Sequence, residues 1–357
     1  MKRLSIILPA YNVQQYLSKC IESLLTQDIL ISDYEIIIVN DGSDDHTLDV
    51  VKSYLIKYQD LVILFNQENK GIGAARNVGI RESKGKYLFF VDSDDFVQSD
   101  CLSELLDCIE KENLDILRFN YNAIHENGAL IPKKRNGLYS TVYSNNIVDG
   151  ETFLTDYLGW ACYPWSFLFR ASFIKENFLF FDDSIYFEDV EWLVRVLPLA
   201  KRVRSLNKQV YLYLQRSGSI TQSIQLEKKN KVVSDKLYVI GKLKQISITT
   251  LNKKISLWCG GMTSLIFMGI LAYVENELPV RKNEVIELLY DQKYLPLKSY
   301  RFTLKQKRDL FIINFSPLIY CFLKRKKNHL ICLDRFIHEN FPDWFISIRE
   351  KISKRRS

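Results

Sequence analysis

The seven cysteines of this 357-residue chain are scattered, odd in number, and include no Cys-x-x-Cys pair. That argues against a disulfide framework and a zinc site, and for a reducing compartment. Walker A sequence is absent, and the loop after the first apolar run holds no glycine, so neither usual phosphate-cradling loop is present. Gly71-Ile72-Gly73 comes nearest to a dinucleotide-binding turn, but Arg76 stands where its third glycine should fall. Repeats and long Gly/Ser/Pro linkers are also missing, which leaves domain boundaries soft. The N-terminal apolar run stops at Pro9 after three residues, far too short for a signal peptide. A cytoplasmic location is expected.

Excess charge is missing from most of the chain. The net charge is +7, yet residues 301–357 carry 14 Lys+Arg against 5 Asp+Glu, and the preceding 300 residues carry 35 against 37. A nucleic-acid surface threads basic residues through the fold itself. No nucleic-acid partner is expected, and the tail has a separate job.

What is present is a series of continuous apolar runs at residues 4–8, 34–39, 61–65 and 87–91, separated by helical patterns. Strands without alternation, joined by helices, predict a mostly parallel α/β sheet covered on both faces. Ligands of such sheets sit beyond the carboxyl ends of the strands. Polar clusters occupy those ends: Pro9-Ala10-Tyr11-Asn12, Asn40-Asp41-Gly42-Ser43, Asn66 to Gly71, and Asp92-Ser93-Asp94-Asp95. Three carboxylates in four positions repel one another unless a cation is near, and hard oxygen donors suit magnesium or manganese. The same residues also suit a turn and a helix cap. Taken alone, the cluster leaves both readings open.

In order and spacing these segments resemble the family-2 glycosyltransferases of GT-A fold, in the branch that builds bacterial polysaccharides. The resemblance covers residues 4–97 nearly continuously. It implies an inverting, metal-dependent transfer from a nucleotide-diphosphate sugar, with UDP as the expected nucleotide. Carried over by position, Pro9, Tyr11 and Asn12 line the nucleotide, Tyr11 bordering the base. Asp41 accepts a hydrogen bond from uracil, and Lys70 approaches the nucleotide. Asp92 faces the ribose beside Ser93, while Asp94 ligates Mn2+ or Mg2+. Further on, Pro164-Trp165-Ser166-Phe167-Leu168-Phe169-Arg170 is similar to the family's Trp-x-Lys-Leu-Tyr-Arg segment, departing from it at Ser166 and Phe167. Glu188-Asp189 matches the Glu-Asp motif, whose Asp189 would be the general base, since a sugar hydroxyl does not ionise near neutrality. An acid pair also favours any helix N-terminus. Tyr213 to Ile220 resembles the segment that closes over the diphosphate, with Arg216 or Ser219 at phosphate. The implied acceptor is a hydroxyl of a glycan or a polyprenyl-linked glycan.

Residues 1–100 are expected to form the nucleotide-sugar half of the catalytic domain, 101–224 its acceptor half, and 225–357 a helical, basic region. Within the last, residues 310–323 are uncharged, contain Pro317, and are flanked by Lys305, Lys307, Arg308 and Lys324 to Lys327. Fourteen residues are too few to span a bilayer. An apolar aromatic segment between basic clusters predicts peripheral attachment to an anionic inner leaflet; a core helix with solvated basic ends is the plainer alternative. Residues 255–274 are also uncharged, and a buried helix is favoured there over a span. Two other functions compete. A nucleotidyltransferase would carry a basic Gly-rich loop after the first strand, and a relative that only binds sugar nucleotides would have lost the acidic motifs.

Overall fold

The computed structural model describes residues 2–132, 144–216 and 225–324. Strands β1 (Leu4–Ala10), β2 (Tyr34–Asp41), β3 (Val62–Gln67) and β4 (Tyr87–Phe90) lie parallel in the order β3-β2-β1-β4. All of β1 and β2 is buried, which is why their sequences run apolar instead of alternating. Strands β1 and β2 each reach two residues further than their apolar runs, because Ala10 still pairs with Asn40 and Asp41 with Gln67. The polar residues that end β2 and β3 are therefore held in strand geometry.

Helix α1 (Leu17–Leu25) buries Leu17, Cys20, Ile21 and Leu24, one face at helical spacing. α2 (Thr47–Lys57) and α3 (Ile72–Glu82) complete the parallel crossovers. α3 lies so close to the sheet that a Cβ at Gly79 would stand 2.3 Å from Cγ2 of Ile7. This contact sets the depth of α3, and with it the position of Arg76.

Beyond β4 the sheet gains β5 (Phe96–Val97), β6 (Ile116–His125), β7 (Phe167–Arg170) and β8 (Val203–Gln215), giving the order β3-β2-β1-β4-β7-β6-β8-β5. β7 runs antiparallel to both β4 and β6, β5 is antiparallel to β8, and β6 and β8 are parallel. The sheet is thus parallel through its first four strands and mixed thereafter. Helices α4 (Leu102–Lys111), α5 (Gly150–Thr152), α6 (Ala171–Glu176) and α7 (Glu188–Val196) accompany the second half. One sheet joins strands from residues 1–100 and 101–224.

The helical region begins with α8 (Leu226–Thr249) and continues through α9 (Lys253–Glu277), α10 (Lys282–Asp291), α11 (Leu304–Phe315) and α12 (Pro317–Lys324). The chain divides into two compact units, Met1–Cys259 and Gly260–Ser357, the division falling inside α9. Among the described residues, α9 is the one helix long and apolar enough to cross a membrane, and 61% of its most apolar window is buried within the chain. The uncharged stretch at 310–323 is two helices, interrupted where Pro317 cannot donate to the preceding turn. Its inner side buries Leu310, Ile313, Tyr320 and Cys321, while Phe311, Phe315, Leu318 and Phe322 remain exposed. Cys332 and the tail beyond Lys324 lie outside the described residues.

Candidate active site

The loops after β1, β2, β3 and β4 meet along one sheet edge, as the strand register requires. At its outer end Asp41 is buried and accepts from Nε2 of Gln67 at 2.6 Å and from the backbone N–H of Lys70 and Gly71 at 2.9 and 2.8 Å. Its carboxylate thus shapes the loop that opens α3, while the Lys70 side chain points into solvent. Asn40 donates to Asn66 at 3.0 Å and accepts from the Ser43 N–H at 3.2 Å. Asn12 has a left-handed backbone (φ 52°), and its side chain accepts from the Asp44 N–H. Pro9 is buried in β1, and Tyr11 stands 45% exposed at the rim, available to a planar ligand and not consumed by core packing.

The acidic loop after β4 is balanced differently from the sequence expectation. Arginines from two distant elements meet it. Arg76 Nη2 donates to Asp92 at 2.8 Å, and Arg216 Nε donates to Asp94 at 2.7 Å. Asp95 belongs to the scaffold: buried, it accepts from the Tyr211 hydroxyl at 2.9 Å and the Leu214 N–H at 2.7 Å. The same hydroxyl accepts the Asp92 N–H at 3.0 Å, so Tyr211 ties the acidic loop to β8. Burial pushes the carboxyls of Asp92 and Asp95 up, and Arg76 opposes the shift at Asp92. Ser93 is buried between them.

Arg76 also reaches α7, where its Nη1 donates to Glu188 at 2.5 Å. Glu188 is buried, whereas its neighbour Asp189 is half-buried. Oδ1 of Asp189 accepts the Val190 N–H at 2.8 Å, and Oδ2 has no hydrogen bond among the described residues. Burial raises Asp189 to about 6, countered by the Val190 N–H and by Arg76. Burial likewise raises Glu188, again against Arg76. A half-exposed carboxylate with one open oxygen and a pKa near 6 is ionised at neutrality and still basic enough to take a hydroxyl proton.

The loop leading to α7 is itself fixed. Asn77 of α3 exchanges two hydrogen bonds with the backbone of Phe181, and the Tyr186 N–H donates to Asp235 of α8. Phe181 stacks on Trp192 with ring centroids 4.2 Å apart. Next to the acidic loop, Trp165 stacks on Tyr211 and Tyr163 at 4.3 and 4.8 Å, and on the partly exposed Tyr213 at 5.9 Å. Ser166 and Phe167, where the motif departs from its relatives, are buried scaffold: the Ser166 hydroxyl donates to the Tyr163 carbonyl, and Phe167 opens β7. Ser219 lies outside the described residues.

The acidic loop also suits a divalent cation. Asp94 is partly exposed, and among the described residues only its Oδ2 is paired, with Arg216. Among the described residues, no three His, Cys, Asp or Glu side chains gather as a cage. One open carboxylate fits magnesium or manganese, which complete their shells with water and phosphate oxygens.

Arg76, Tyr211 and Gln67 are the residues that the motif reading did not assign. Arg76 did leave a signal, because it is the lone charge in the small and apolar run from Ile72 to Ile80. A cation there must be buried, and a buried cation needs carboxylates.

The chain is similar in sequence and fold to known glycosyltransferases. A sequence model described as glycosyl transferase family 2 matches residues 5–178. The chain is 32% identical over 226 residues to the uncharacterized glycosyltransferase EpsJ of Bacillus subtilis, covering 61% of this chain and 62% of EpsJ. It is 34% identical over 219 residues to the poly(ribitol-phosphate) beta-glucosyltransferase of Bacillus spizizenii, covering 60% of this chain and 33% of that protein. The chain thus spans less than two thirds of either relative. Its fold is similar to that of S. aureus TarS 1–349 in complex with UDP-GlcNAc, at TM-score 0.55, 19% identity, and coverage of 86% and 90% of the two chains. With this sheet order, these acidic loops and these relatives, the chain belongs to the bacterial family-2 glycosyltransferases of GT-A fold.

Proposed function

We propose that the chain transfers a sugar from a UDP-sugar to a hydroxyl of a glycan or polyprenyl-linked acceptor, with inversion at the anomeric carbon. The observation that carries this reading is the Oδ2 of a half-buried Asp189, which has no hydrogen bond among the described residues, on a helix tied through Arg76 to the acidic loop. TarS was solved with UDP-GlcNAc, which supports a uridine nucleotide as donor.

In the reaction the acceptor hydroxyl gives its proton to Asp189 Oδ2 as its oxygen forms the new bond to the anomeric carbon. The bond from that carbon to the diphosphate breaks, and its electron pair leaves on the β-phosphate oxygen. Attack from the face opposite the leaving group inverts the centre. Asp41 and Tyr11 border the base, Pro9, Asn12 and Lys70 line the nucleotide, Asp92 faces the ribose with Ser93 beneath it, and Arg216 lies beside the diphosphate. Asp94 would hold a manganese or magnesium ion, which would supply neutralisation of charge on that diphosphate.

The reaction belongs to the assembly of a cell-surface polysaccharide, and the enzyme works at the inner leaflet. Supporting this are the basic excess of residues 301–357 and the exposed Phe311, Phe315, Leu318 and Phe322 on α11 and α12. The deciding experiment presents a panel of UDP-sugars with Mn2+ or Mg2+, follows UDP release, and reads the anomeric configuration of the product by NMR. Absence of both binding and turnover across the panel overturns the proposal, and retention of configuration overturns the mechanism.

A further inference from the structure

Asp92, Glu188 and Asp189 come from two separate parts of the chain, and Arg76 of α3 reaches both. Its side chain is 3% exposed, its Nη1 and Nη2 donate to Glu188 and Asp92 at 2.5 and 2.8 Å, and its guanidinium lies over the Phe181 ring, 5.2 Å from the centroid. Simple stability does not explain such a residue. Burying a guanidinium and its carboxylates costs more solvation than their attraction returns in many proteins, and apolar replacements of such clusters are often neutral or stabilising. Here the pairing is also incomplete, since Nε of Arg76 and Oε2 of Glu188 are buried with no hydrogen bond among the described residues. The depth of α3, set by Gly79 against Ile7, and the two hydrogen bonds between the Asn77 side chain and the Phe181 backbone fix the guanidinium in place.

We infer that Arg76 is the positioning residue of the site: it holds the donor-side loop at Asp92 and the base helix at Glu188 in one fixed relation. This rests on the glycosyl-transfer reading above. The groups facing Asp189 bear on its ionisation in opposite senses. Arg76 from α3 favours the charged form, and Asp92 from the acidic loop disfavours it. Glu188 on the same helix is a like charge, and the buried Cys162 thiol also senses Asp189. Without Arg76 the carboxylates of Asp92 and Glu188 lose the cation they share. Lysine keeps the charge but offers a single ammonium, which cannot span two carboxylates as the planar fork does.

The test uses the full chain carrying Arg76→Lys or Arg76→Met, read by kcat and KM for the donor across pH and by 13C titration of the Asp carboxyls. In R76K, kcat should fall about tenfold or more, as expected for a misplaced base, with a smaller change in KM and an acid limb near that of the wild type. In R76M, the acid limb of kcat and the Asp189 titration should both move up by about 1–3 pH units, the usual effect of losing a neighbouring opposite charge. Wild-type kcat in R76K, or an unmoved Asp189 titration in R76M, overturns the inference. If R76M does not fold, R76K decides alone: an unchanged kcat refutes it, and a fall in kcat with an unmoved acid limb supports it. If wild-type protein turns over no nucleotide sugar, the glycosyl-transfer reading fails, and the Asp189 titration in R76M still decides whether Arg76 acts on the base helix.

Discussion

Replacing Asp189 by Asn separates catalysis from stability, and the two should move in opposite directions. Asn keeps the shape and its Oδ1 still accepts the Val190 N–H, but it cannot take a proton. Loss of a general base lowers kcat by about 10²–10⁴. The folded-state pKa of Asp189 is raised from 3.8 to about 6. A raised acid binds its proton more tightly in the folded chain than in the unfolded one. Between about pH 4 and 6 the native state therefore holds more protons, and stability falls as pH rises through that window. Above it the cost is fully present. A shift of about 2 pH units corresponds to about 3 kcal/mol, and partial exposure of Asp189 reduces this to about 1–3 kcal/mol. The N variant escapes that cost, so at pH 7 its thermal melt should lie a few degrees above wild type, with the difference vanishing near pH 4. Thermal melts across pH, beside initial rates of UDP release, measure both effects. Wild-type turnover in D189N would move the base elsewhere, Glu188 being next. A variant destabilised at neutral pH would refute the desolvation argument even if its activity were lost.

Chelation and Asp94→Ala should each abolish turnover while leaving the melt within a degree or two; full activity in excess EDTA sinks the metal assignment. Asp95→Ala removes the acceptor of the Tyr211 hydroxyl and the Leu214 N–H, costing about 1–3 kcal/mol for each buried donor left unpaired; a melt equal to wild type would show that water replaces the carboxylate. The protein should sediment with anionic liposomes at low salt and be released by high salt, because each Lys or Arg near such a surface contributes about 1 kcal/mol. Replacing Phe311 and Phe315 by Ser should weaken that binding without changing donor hydrolysis. Indifference of the full-length protein to anionic liposomes makes the basic tail a solvated end.

The parallel half of the fold was legible because its strands are buried on both faces and so cannot alternate. From Leu4 to Phe90 an apolar run could only be a covered strand, and the polar residues ending each run had to lie at one edge. The second half was less legible. β7 is four residues long and enters antiparallel, and β6 owes its place to pairing with β8, about 90 residues away in sequence. Local periodicity carries no record of a partner so distant. The uncharged stretch at 310–323 looked like one segment, yet Pro317 makes it two helices, each with a buried side.

The acidic cluster shows what a motif cannot say about itself. Asp92, Asp94 and Asp95 are nearly consecutive and chemically alike, so the sequence offers no reason to give them different work. Tertiary partners separate them. Asp95 meets uncharged donors from β8 and becomes scaffold, Asp92 meets a buried arginine from α3, and Asp94 meets the more exposed Arg216 through one oxygen and keeps the other open. The same rule divides Glu188 from Asp189, since the buried member takes the arginine and the half-buried member keeps a free oxygen. In both clusters the partly exposed acids, each with one oxygen unpaired among the described residues, are the ones available to a ligand. Unmet hydrogen-bonding capacity at a partly exposed carboxylate therefore narrows the acidic motifs to Asp92, Asp94 and Asp189.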